Sequence, residues 1–349
     1  MLSEELDNIY HVILINGGAF MSYLSSEQSY ELNETSDIHT LDENTQQLLE
    51  FCKAVADPIR LRLIAVLQKY ELNVNELVQL FDMGQSRISR HLKILSASGL
   101  LLFRREGLWV FYSSNKNGTA SNFIQALKPF MQNNISLNKD LIKAKQLLDQ
   151  RSLNTKMFFN HIADDWDKLN KEILGQFNLG LAVAERMPNC TCAVDLGCGT
   201  GQLLLAMQDK CKILIGVDGS ARMLELAKKQ NFASTVQVSL RIGDLEHLPL
   251  KDAEADFVTV NMVLHHLNAP FNTLEEIKRI LSADGYLLIT DFAHHNQEDM
   301  RVRYGDLWLG LDFNELEKRL KTLEFAIVEH SSFSVEKNLQ LRLILAQKK

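Results

Sequence analysis

The sequence predicts two domains of different class: a small, mainly helical α+β domain with one β-hairpin, then an α/β domain on a mainly parallel sheet. Three observations predict it. A chain of 349 residues is long enough for two or three cores at roughly 100–200 residues each. Apolar residues first recur at helical spacing, broken by one pair of β-rich runs around a glycine. Farther on, β-rich runs alternate with helical ones, the pattern of parallel strands covered on both faces. With 46% hydrophobic residues and 5 prolines, the composition is that of packed domains, not of a disordered tail or a fibre.

Residues 1–42 form an acidic extension. Residues 1–50 hold ten acidic residues and no Lys or Arg, so a net charge of -7 leaves +3 for the rest. A helix over Ile9–Leu24 is interrupted at Gly17-Gly18, and the polar stretch Glu27–Asp42 reads as a linker. Helical periodicity begins near Glu43, with Leu48, Leu49, Cys52 and Val55 on one stripe. Asp57 then caps a new helix with Pro58 at its first position, and Leu61, Ile64, Ala65 and Leu67 make its apolar face. Val74–Phe81 is a short helix with Leu77, Val78 and Phe81 on one side. Gln85–Ser98 follows with Ile88, Leu92 and Leu95 as its stripe, and Gly99 stops it. Leu100–Arg104 and Trp109–Ser113 flank Arg105-Glu106-Gly107 as a hairpin. Ala120–Met131 is a further helix along Phe123, Leu127 and Phe130, with Pro129 in its last turn.

Residues 133–155 read as a helical linker, with Leu141, Ala144 and Leu148 at helical spacing, and the second domain runs over 156–349. Its strand-like runs are Cys192–Leu196, Ile213–Asp218, Gln237–Ile242, Phe257–Asn261 and Tyr286–Asp291. Gly201–Met207, Ala221–Lys229 and Thr273–Leu281 are the helices between them. No apolar stretch approaches the 18 or so residues of a membrane span, and the acidic start is unlike a signal peptide. Five cysteines are too few for a disulfide scaffold and suit a reducing compartment. The cytoplasm is the expected location, with no membrane partner.

The helices over 43–132 contain a helix-turn-helix pattern. From Phe81 to Tyr112 five Lys or Arg face two acids, a local +3. Gln85, Ser86, Arg87, Ser89, Arg90, His91 and Lys93 supply the polar, basic face that phosphates and base edges require, while the apolar stripe holds the helix on its domain. Arg104 and Arg105 place a wing along a groove wall. The segment "ELNVNELVQLFDMGQSRISRHLKILSASGLL" (Glu71–Leu101) resembles the ArsR/SmtB winged-helix repressors. That resemblance, over about residues 46–132, implies a homodimer through the first and last helices and a palindromic double-stranded operator, with Gln85–Lys93 in the major groove. The metal-sensing members carry two cysteines where this chain has Asn73 and Asn75. Asn is a poor ligand for thiophilic ions, so no metal site is expected and a signal enters elsewhere.

A second pattern is glycine-rich. In "AVDLGCGTG" (Ala193–Gly201) a buried strand ends at Asp195, and Gly197, Gly199 and Gly201 allow a tight turn that a ligand can approach closely. Asp218 ends the next strand, where a carboxylate can accept from two ribose hydroxyls. Asp244 follows the third strand, near an adenine edge. With "FFNHIADDWDKL" (Phe158–Leu169), "GVDGSARMLELAKK", "GDLEHLPL" and "NMVLHHL", the set resembles class I S-adenosylmethionine-dependent methyltransferases on a Rossmann-like fold, close to the ubiquinone/menaquinone type. The resemblance implies that Asp195, Gly197, Gly199 and Gly201 hold the methionine part, Asp218 the ribose, and Asp244 with Leu245 the adenine. Asn261 would lie by the transfer centre. Beyond the fifth strand, "DFAHHNQEDMRVRYGDLWLGL" is polar and crowded. His294, His295 and Arg301 are its candidate base and anion clamp, with a helical lid as the alternative. His265-His266 reads as fold support, and Cys190, Cys192 and Cys198 read as core-edge and loop residues.

Two functions remain open on the sequence. One is a DNA-binding repressor whose operator affinity responds to S-adenosylhomocysteine or S-adenosylmethionine. The other is an active methyltransferase, with an unidentified small-molecule acceptor, that controls its own genes. The first is favoured because the recognition helix is intact while the metal-sensing cysteines are absent.

Overall fold

The computed structural model describes residues 41–132 and 134–349, with only the backbone of Glu106. The acidic extension up to residue 40, with its expected helix at Ile9–Leu24, lies outside the described residues. Helix α1 covers Glu43–Val55. Its inward residues are Phe51 and Ala54, while Leu48, Leu49 and Cys52 of the expected stripe are exposed. Helix α2 (Pro58–Leu67) starts as expected, with the Asp57 carboxylate accepting from the backbone N–H of Ile59 and Arg60. Leu63, Ile64, Val66 and Leu67 are its buried residues.

A two-residue strand β1 (Leu72–Asn73) leads into α3 (Val74–Phe81). Asn73 has a local purpose: its side chain accepts from Glu76 N–H at 3.0 Å, and Glu76 accepts from Asn73 N–H at 2.8 Å. This reciprocal cap starts α3. Helix α4 spans Gln85–Ala97 with Ile88, Leu92 and Leu95 fully buried. Strands β2 (Leu101–Glu106) and β3 (Trp109–Ser114) form the hairpin, and β1 joins on the far side of β3. Helix α5 covers Gly118–Met131.

The linker is the largest departure from expectation. Helix α6 runs unbroken from Ile135 to Ile162, 28 residues, or about 42 Å at 1.5 Å per residue. It absorbs both the expected linker and the first part of "FFNHIADDWDKL". Its N-terminal half belongs to the winged-helix core: Ala144 is buried there, and Asp140 is held by Arg62 through bonds of 2.6 and 2.8 Å. Arg151 pairs with Glu76 of α3. Its last turns reach the second core. Residues 49–349 form one compact unit.

The second core begins with α7 (Trp166–Leu174) and α8 (Leu179–Arg186). The sheet strands are β4 (Cys190–Leu196), β5 (Cys211–Asp218), β6 (Gln237–Ile242), β7 (Ala255–Asn261), β8 (Leu281–Phe292), β9 (Phe325–Ser334) and β10 (Gln340–Lys348). Helices α9 (Gln202–Met207), α10 (Ala221–Ala227), α11 (Thr273–Ile280), α12 (Asp299–Arg303) and α13 (Phe313–Thr322) intervene. The sheet order is β6-β5-β4-β7-β8-β10-β9, parallel through β8, with β10 antiparallel to both neighbours. Strand alternation divides the core: Val194, Val217 and Val260 face one layer, and Ala193, Leu214 and Phe257 the other. The order reverses between β4 and β7. In such sheets the crevice beyond the carboxyl ends at the reversal is where a ligand sits.

Candidate functional site

That crevice is a cavity of about 690 Å³. β4 delivers Asp195 to its floor, and the chain then turns through glycines at φ +75°, +50° and +82° (Gly197, Gly199, Gly201). A side chain at Gly197 would overlap Val263, so the close approach of the two loops requires glycine. The turn is pinned to β5 by Gly197 N–H and Cys198 N–H donating to Val217 O at 2.7 and 3.1 Å. Asp218 completes the tie: Gly199 N–H donates to its Oδ2 at 2.9 Å and Ser220 N–H to its Oδ1 at 2.7 Å. Burial raises the Asp218 pKa, and these backbone donors oppose the rise. Burial and the neighbouring Asp218 charge push Asp195 up further, against the hydrogen bond from Asn261. Two carboxyl groups with little water around them favour a cationic ligand group.

Asp244 sits beyond β6 with Lys156 Nζ 3.4 Å from its Oδ2, and buried Leu245 follows it. Asn261 ends β7, its Nδ2 donating to Thr259 Oγ1 at 2.5 Å while its buried Oδ1 has no partner among the described residues. Seven of the eight residues expected to hold the nucleoside line the cavity; Gly201 stands behind, against Ala227.

Sequence reasoning did not single out the residues that roof the site. Phe159 at the end of α6 meets Trp166 and His266 edge-on, with ring centroids 5.4 and 4.8 Å apart. Asn160 Oδ1 accepts from Ser220 Oγ at 2.7 Å, and Asp167 accepts from Thr200 Oγ1 at 2.5 Å. The signal was present in "FFNHIADDWDKL", but only the fold shows that its first half ends the long helix. The cavity continues past these residues to Leu174, Phe177, Leu179 and Met262.

His294, His295 and Arg301 are not among the residues that line the cavity. His294 is exposed. His295 Nδ1 accepts from Gln297 N–H at 3.2 Å, and burial lowers its pKa to about 4. Arg301 donates to Glu298 and to Leu307 O, and its guanidinium lies 4.3 Å from the Trp109 ring centroid. The histidine that does face the cavity is His266.

His265 and His266 belong to a buried polar cluster. His265 Nδ1 lies 2.5 Å from Asp291 Oδ1 and its Nε2 lies 3.5 Å from Asp306 Oδ1. His266 Nδ1 lies 3.1 Å from Gly305 O. Ligand atoms of His265, His266 and Asp306 fall within 4.8 Å of one another, close enough for a divalent ion. A protonated His265 also meets the charge requirement: burial opposes its charge, but Asp291 and Asp306 outweigh that and hold its pKa up at about 10. Burial and the neighbouring His265 charge lower His266 to about 3.

Each shift has a sign for stability. A raised folded pKa contributes stability below the unfolded value of about 6.5, lost as pH climbs toward 10. His266 and His295, held neutral, contribute above about 6.5 and lose that as pH falls. Thermal unfolding from pH 7 to 10 is expected to show a falling midpoint. In His265→Gln that decline should vanish; an unchanged decline would assign it to other groups.

On the helix-turn-helix, Gln85, Ser86, Arg87, Ser89, Arg90 and Lys93 are exposed on one side of α4. His91 is turned inward, 3.8 Å from Asp57 Oδ1. Arg105 is exposed, whereas Arg104 is engaged within the chain, donating to Glu71 at 2.7 and 3.2 Å.

Comparison with known proteins agrees with both halves. Residues 57–101 match the family of bacterial regulatory proteins described as arsR, and residues 194–289 match a methyltransferase domain family. A 2-phytyl-1,4-naphtoquinone methyltransferase of Trichormus variabilis is 30% identical over 157 residues, 42% of this chain and 68% of that protein. A demethylmenaquinone methyltransferase of Lactobacillus johnsonii is 37% identical over 98 residues, 27% of this chain and only 40% of its own length. A transcriptional repressor SmtB homolog of Synechocystis is 40% identical over 81 residues, 23% of this chain and 61% of that protein. The sheet domain therefore belongs to the methyltransferase family that matches it, and residues 57–101 ahead of it carry a helix-turn-helix similar to that of the arsR regulators.

Proposed function

We propose that the protein is a DNA-binding transcriptional repressor, acting as a cytoplasmic homodimer, whose operator affinity is set by S-adenosylhomocysteine or S-adenosylmethionine in the cavity. The observation that carries this reading is α6. One helix is packed into the winged-helix core at Ala144 and lines the cavity at Lys156 and Phe159. A ligand that favours one placement of that helix acts on both ends, by an amount equal to its differential affinity for the two states. The exposed Leu48 and Leu49 on α1 and Phe130 on α5, the last 85% exposed, support pairing with a second copy.

The test is calorimetric titration with each nucleoside, alone and with a DNA duplex selected by the protein from random sequence. A nucleoside affinity that shifts when DNA is present supports the regulator, and equal affinities in all arms overturn it. Arg90→Ala should weaken duplex binding by about 10- to 100-fold at fixed salt and leave nucleoside affinity unchanged. Duplex affinity as strong as wild type would remove α4 from the DNA interface.

The cavity's extension to Leu174 and Phe177 supports a second reading, methyl transfer to a small apolar acceptor. Release of S-adenosylhomocysteine in the presence of a demethylated naphthoquinone tests it.

A further inference from the structure

The wing hairpin of this chain is docked on its own methyltransferase domain. Phe111 of β3 is 0% exposed, and its ring centroid lies 4.5 Å from that of Trp308, itself 1% exposed. Arg104 places its guanidinium 4.0 Å from the Trp308 ring while Glu71 holds its nitrogens. On the other side Arg301 covers Trp109. At the hairpin tip, Leu108 N–H donates to Glu298 Oε1 at 2.7 Å. Gly107 turns the tip at φ +58°, and a side chain there would displace the Glu298 carboxylate.

The same surface is built from the cavity wall. His265 O accepts from both Leu307 N–H and Trp308 N–H, at 3.0 and 2.9 Å. The indole N–H of Trp308 donates to Leu267 O at 2.6 Å. Val263, His266, Leu267 and Asn268, within and beside this turn, line the cavity. Thus one short segment after β7 forms the ligand's wall and the seat of the indole on which the hairpin rests.

We infer that Glu298, Arg301 and Trp308 form a docking surface for the DNA-binding hairpin, and that nucleoside occupancy reaches DNA through the seating of Trp308. While the hairpin is docked, Arg104 is spent on Glu71 and the indole rather than on phosphate. A ligand that shifts residues 263–268 shifts the indole and changes the fraction of molecules with a free wing. This inference rests on the regulator reading above.

Two variants test it on the full chain. Glu298→Ala removes the acceptor at the tip from a partly exposed position and should leave the fold intact. Trp308→Ala removes the seat. Hydrogen exchange at the amides of Leu108–Phe111 should accelerate by about tenfold or more in both. For duplex binding without nucleoside, the salt dependence in Trp308→Ala should steepen by about one, from the extra phosphate contact. The nucleoside effect on duplex affinity, about 30-fold for a typical coupling, should fall to nothing in a Trp308→Ala protein that still binds nucleoside. Trp308→Phe, which keeps a ring against Phe111, should retain part of it. Hairpin exchange unaltered in both variants would overturn the docking surface. Full coupling in a folded Trp308→Ala protein would overturn the route through the indole. If wild type shows no nucleoside effect on DNA, the regulator reading fails while the exchange result still judges the surface.

Discussion

Asp218→Ala is expected to lower affinity for S-adenosylhomocysteine about 100-fold, or about 2.7 kcal/mol. The carboxylate already accepts from Gly199 N–H and Ser220 N–H, and it retains lone pairs toward the cavity for ribose hydroxyls. Hydrogen bonds to a charged group contribute about 1.5–3 kcal/mol each, so losing the ribose contacts alone accounts for the drop. Releasing the glycine turn adds to it. Asp218→Asn separates the two effects. Its shape is kept, but its NH₂ must face one of the two backbone donors, so the loop is strained while one acceptor survives. Calorimetry should place it between wild type and alanine. An alanine variant that binds as wild type does would remove Asp218 from the ribose site.

The second large effect concerns the anchor of α6. Arg62→Ala is expected to destabilise the fold by roughly 3 kcal/mol, the lower end for breaking a buried pair because the arginine side keeps some water. Asp140 is 2% exposed and is held by two bonds from Arg62. Removing the guanidinium leaves a carboxylate in an apolar wall formed by α2 and α6. The double variant Arg62→Met with Asp140→Leu removes both charges and should recover most of the loss. Thermal unfolding of the three proteins measures this, and a double variant no better than Arg62→Ala would mean that packing dominates over the stranded charge.

How much of this was legible depends on the element. β6 and α3 have the bounds that the sequence suggests, because a short run between turn residues leaves little freedom. Parallel strands buried on both faces were clear from their unbroken apolar runs. β9 and β10 were not read as strands. β9 alternates half-buried and exposed residues at the sheet margin, and nothing local says that it must pair with β10. The glycine turn could be placed because its left-handed backbone demands glycine, Asp218 because a carboxylate at that strand end can accept from ribose hydroxyls, and Asn261 through the resemblance to methyltransferases. Phe159 and Trp166 were missed, since an aromatic on a helix reads as core until the helix is known to end at a cavity. Arg104 shows the opposite limit. Its charge suggested a phosphate, but its partners Glu71 and Trp308 are 33 and 204 positions away, beyond any local pattern.

The continuity of α6 has one more consequence. Each residue of an α-helix turns its successor by about 100°, so the two ends of a continuous helix are locked in angular phase. A single residue inserted between Arg151 and Lys156 would swing the Lys156–Phe159 face about a quarter turn away from the crevice it closes. Seven would return it to within about 20° of its bearing, displaced along the axis by about 10 Å. The segment that looks like a spacer in the sequence is therefore a keyed shaft. Its length is constrained by rotation as much as by reach.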